Sequence, residues 1–118
     1  MRFLTKTIAA AAALAGAAVA APANAEGWSI SNLGTTRGVD ACMQQAEWTF
    51  RQVSPAEVSP GNWVTYAYDL NGRPDHDGII ICADADGPIV AIVVVFGLSD
   101  VDGRKAMRDQ LKQIWRTY

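Results

Sequence analysis

The chain has few of the side chains from which metal and nucleophilic sites are built. Its 118 residues include one histidine, His76, and two cysteines, Cys42 and Cys82. That is too few for a structural zinc site. No serine stands in a nucleophile-elbow context, and His76 lies between Asp75 and Asp77 in a polar stretch, where it reads as a solvated loop side chain. The aspartates around it do not form a calcium loop. A start at Asp69 puts Arg73 fifth and Ile80 where the bidentate glutamate belongs, and a start at Asp75 puts Ile79 fifth. They read as turn-forming residues, so neither metal nor cofactor is expected. Charge of one sign is also missing. Twelve acids stand against ten bases, which argues against general affinity for nucleic acid. No apolar run in the body of the chain reaches membrane-spanning length.

The N-terminus reads as a targeting segment. Arg2 and Lys6 give it a positive start, Ile8 to Ala21 is alanine-rich and apolar, and Ala23-Asn24-Ala25 supplies small residues at a peptidase site. Residues 1–25 are therefore expected to be a secretory signal peptide cut after Ala25, and 26–118 a single small α+β domain with no stable membrane anchor. Leu14-Ala15-Gly16-Ala17 lacks the cysteine that lipidation requires. Removing Arg2 and Lys6 leaves eight bases against twelve acids, a net charge of −4. The expected location is periplasmic or secreted. In an exported chain an even pair of cysteines reads as a disulfide, Cys42–Cys82.

The strongest local signal is Ile89–Phe96, eight apolar residues between Gly87-Pro88 and Gly97. Length and β-branching predict a buried strand. Upstream, Val39, Cys42, Met43, Ala46, Phe50 and Val53 recur at helical spacing and share one face, with Thr35 or Thr36 as the cap. Trp48 lies almost opposite that stripe. Residues 56–61 read as a loop. Asn62–Leu70 and Ile79–Ala83 read as strands, and Trp28–Leu33 as a short strand or an arm. After Gly97, Ser99 or Asp100 caps a second helix whose stripe is Met107, Leu111, Ile114 and Tyr118. The expected fold is two-layer α+β, a three-stranded antiparallel meander with two helices on one face, in the order α-β-β-β-α.

The cysteine pair fixes side-chain parity. Cys42 is on the inner stripe of its helix, so Cys82 and Ile80 must face the helices while Ile79, Ile81 and Ala83 face away. Ile89–Phe96 is apolar on both parities, so a three-stranded meander leaves one set in water and an apolar strand at the sheet edge. The arm, a second copy of the chain, or a partner must cover it. The remaining contact candidates are Trp48 and the cations of the last helix. Arg104, Arg108, Lys112 and Arg116 fall at steps of four with Lys105 beside them, and only Asp109 opposes them from Gly103 onward.

The helix-borne Cys42 followed by Ala46 and Phe50, the strand-borne Cys82, the β-branched strand ending in Gly97 and the closing amphipathic helix together resemble small exported bacterial domains with one cysteine pair. The resemblance implies export and the helix–meander–helix order, and no activity. The functional expectation is a non-catalytic exported interaction module that self-associates or binds, or inhibits, an exported protein partner. The contact residues would be Trp48, Ile79, Ile81, Arg104, Arg108 and Lys112. The alternative is binding of a small apolar or anionic ligand between sheet and helices, and an enzyme is the least favoured reading.

Overall fold

The structure, a computed structural model, describes residues 27–98 and 100–118. The segment read as a leader and the candidate cap Ser99 lie outside them. Strand β1 (Gly27–Thr36) is followed by helix α1 (Val39–Arg51) and by β2 (Glu57–Pro60), β3 (Val64–Tyr68), β4 (Asp77–Asp84) and β5 (Ile89–Gly97). Helix α2 (Val101–Trp115) closes the chain. The five strands form one sheet in the order β1-β5-β4-β3-β2, and every pairing is antiparallel.

The three-stranded expectation is thus corrected to five strands, with one added at each side of the meander. At one side β2 occupies part of the stretch read as a loop. It is four residues long and ends in Pro60, a composition that only an edge strand tolerates. At the other side the N-terminal arm is a full strand of ten residues, paired along the whole of β5. It passes Gly34 by a bulge between Asn32 and Gly34. There Gly34 has a φ of 106°, and its N–H donates to the Asn32 side-chain oxygen at 2.7 Å. Strand β5 is therefore interior to the sheet and not its edge.

The core lies between the sheet and the two helices. It comprises Cys42, Ala46, Phe50 and Val53 from α1 and its end, Met107, Leu111 and Trp115 from α2, and Ala67, Leu70, Ile80, Cys82, Ile89, Ala91, Val93 and Val95 below them. The disulfide Cys42–Cys82 joins α1 to β4 with its Cα atoms 6.0 Å apart, and both residues are fully buried. Such a bond is compatible with an oxidising, extracellular compartment. Helix α1 is not capped by Thr35 or Thr36, which belong to β1. Its cap is Gly38, to whose carbonyl the Thr36 hydroxyl donates. Helix α2 is capped by Asp100, which accepts from the Gly103 N–H at 2.7 Å. On α2, Trp115 takes the buried place expected for Tyr118, which stays exposed.

Candidate interaction surface

The strand registers place a second, uncovered side chain set on the face of the sheet away from the helices. One row runs Ile30–Val94–Ile79–Tyr66–Ser59 across all five strands. The next runs Asn32–Ile92–Ile81–Val64, and beyond it Thr35–Val90–Ala83. At the opposite end Trp28 faces Phe96, which faces Asp77, and Tyr68 faces Glu57. The parity derived from Cys82 holds here: Ile80 is fully buried under the helices, and Ile79, Ile81 and Ala83 are half-buried on the other side.

This face is apolar and, apart from the buried Val94, open to water. Trp28 is 65% exposed, Ile30 57% and Tyr66 40%, and Tyr68 is similar. Aromatic pairs brace it at two places. The Trp28 and Phe96 rings lie 5.9 Å apart, and Tyr66 stacks parallel to Tyr68 at 6.4 Å. Among the described residues its charged positions are Glu57 and Asp77, and both stand at the Phe96 end. Asp77 is engaged by the Asp69 N–H at 3.0 Å. Monomeric soluble domains rarely leave so continuous an apolar surface to water.

The other expected contacts do not gather there. Trp48 is on the helix side, half-buried and edge-on to Tyr118 at 5.2 Å. Arg104 is buried, not presented to a partner. Its guanidinium fills the space that a side chain at Gly27 would need, and it donates to the Gly97 carbonyl. Arg108 binds its neighbour Asp109 at 2.9 Å, and Lys112 is half-buried on α2. Of the basic stripe, Arg104 is thus interior and Arg108 locally paired, while Lys105 and Arg116 remain exposed on α2 and just after it.

His76 is likewise not a solvated loop residue, since it is only 2% exposed. The turn Leu70–Gly72 and the residues after it fold back onto α2. The Leu70 N–H donates to the His76 carbonyl at 2.8 Å, and Asp75 packs its carbonyl where a Gly97 side chain would stand. His76 lines a cleft of about 170 Å³ with Asn71, Arg73, Gly103, Ala106, Met107 and Gln110. Neither ring nitrogen has a hydrogen-bond partner among the described residues. Burial, helped by the nearby Arg73 and Arg104 cations, holds its pKa below the ordinary 6.5, against the opposing pull of Asp75 and Asp100. A histidine kept neutral in the fold takes up its proton first in the unfolded chain. Stability is therefore expected to be full above pH 6.5 and to decline as pH falls below it. Asp75, whose carboxyl is held below 3.8 by its hydrogen bond from Arg73, acts only at still lower pH. Thermal unfolding between about pH 7.5 and 5 should show Tm falling for the native chain and a flatter profile for His76→Gln.

Among the described residues no helix is long and apolar enough to cross a membrane, and no group of three or more His, Cys, Asp or Glu is placed to hold a metal ion. No family model, curated protein or solved structure matches the chain.

Proposed function

We propose that the protein is an exported, non-catalytic interaction module that binds protein through the open face of its sheet. The observation that carries this reading is the face itself. One row crosses all five strands and two shorter rows lie beside it, mostly of branched and aromatic side chains with no described element over them, and their burial is worth roughly 25 cal/mol per Å² to any partner that supplies it. The disulfide supports the location, because its compartment is one in which such bonds persist.

Hydroxyl-radical footprinting tests the reading. Trp28 and Tyr66 are expected to oxidise readily in purified Ile30→Lys chain at nanomolar concentration and to be protected in native chain in the exported fraction of expressing cells. Equal oxidation in the two samples would sink the proposal. Intact mass of the exported chain is expected to begin at Glu26, and a chain recovered only from the cytosol with its first 25 residues would refute export.

A further inference from the structure

We propose that the occupant of the open face is a second copy of this chain, packed sheet to sheet about a two-fold axis that runs across the strands. The inference rests on the preceding reading of the face as a contact surface and names what it contacts.

The first argument is area. Five strands spaced about 4.8 Å apart, carrying side chains over some seven residues of strand, make a face roughly 24 Å by 20 Å. That is about 480 Å² per partner, or roughly 960 Å² for the pair before side-chain relief is counted, close to the ~1,000 Å² total that a specific interface should clear. Two such faces stack at about 10 Å, the spacing at which sheets form a sandwich core.

The second argument is composition. Interfaces that form and dissolve are no more apolar than ordinary surface. Permanent ones resemble a domain core cut in half. The row Ile30–Val94–Ile79–Tyr66 and the pair Ile81–Ile92 beside it are of the second kind. A permanent partner must be present whenever the chain folds and in equal amount, two conditions that a second copy of the chain always meets.

Charge then selects the axis. Glu57 and Asp77 share one end of the face. An axis along the strands would set acid above acid, which repels. An axis across the strands sets that end above the partner's Val90 and Ala83 end, where no carboxylate lies in the face. The contact is then isologous and closed, with no face left over to propagate a fibre.

Light scattering on the purified exported chain tests this, with variants that spare the fold. Ile30→Lys and Tyr66→Lys replace exposed side chains, and Gln113→Lys changes an exposed position on the helix layer. The native chain and Gln113→Lys should show the dimer mass at about 100 µM. Ile30→Lys and Tyr66→Lys should dissociate at concentrations roughly 100-fold higher while keeping a cooperative thermal transition. A native chain that is monomeric at that concentration but binds a polarity-sensitive apolar dye, lost on Ile30→Lys, overturns the second copy and leaves the face as a contact for another protein. A monomer that binds no dye overturns both. A dimer indifferent to the two face substitutions overturns the proposed interface.

Discussion

Replacing both Cys42 and Cys82 by alanine is expected to lower stability by at least about 4 kcal/mol, and Tm by roughly 15–30 °C. The bond spans 40 positions in sequence, so reduction frees a long loop of the unfolded chain. The chain-entropy cost of closing a loop of that length is about 4 kcal/mol. A second effect adds to it. Both cysteines are fully buried, and alanine leaves the sulfur volume empty between α1 and β4. A single domain of this size has some 5–15 kcal/mol in all, so the reduced chain should sit near the edge of unfolding at 37 °C. Urea unfolding of native and double-alanine chains measures the difference. A loss under about 1 kcal/mol would mean that the unfolded chain already holds the loop ends together.

The second large effect is expected at Phe50. Its ring is fully buried and lies on Gly78 of β4. A Cβ at position 78 would stand 2.8 Å from the ring and 3.1 Å from the Leu70 side chain. The glycine thus makes the hollow that the ring fills. Phe50→Ala empties that hollow and should cost about 3–5 kcal/mol. Gly78→Ala overfills it and should cost about 1–3 kcal/mol. Because the two share one volume, Gly78→Ala combined with Phe50→Leu should cost less than the sum of the separate changes, with a coupling of about 0.5 kcal/mol or more. Additive costs in denaturant midpoints would show that ring and glycine do not compete for the same space.

What could be read from the residues alone was whatever a single element encodes. The α1 stripe and the Asp100 cap are local patterns, and the disulfide propagates parity from a helix to a strand. From that parity followed the outward placement of Ile79 and Ile81. The strand count was hidden for a physical reason. In β1 the inward residues before Leu33 are small: Gly27, Ser29 and Ser31 take these places, while Trp28 and Ile30, which carry the apolar alternation, point to the open face and Leu33 packs against the core at the bulge. Small inward residues leave room where α2 brings Arg104 against Gly27, and so the usual reading of alternation is inverted. Strand β2 was missed because Ser59 and Pro60 carry no strand signal, and its place depends on pairing with β3. His76 was misplaced because its burial comes from the loop closing on Gly97 and on α2, a contact between distant parts of the chain. The surface as a whole was foreshadowed by Ile89–Phe96, whose two apolar parities ask for two covers.

The position of Gly27 decides how this chain can be tagged. It pairs with Gly97 at the Phe96 end of the sheet, one residue from Trp28. A tag joined at Gly27 therefore starts at the rim of the open face, within reach of whatever docks there. Tyr118, by contrast, ends the chain beside Trp48 on the helix layer. Fluorophores and purification handles therefore belong beyond Tyr118, on the layer away from the open face.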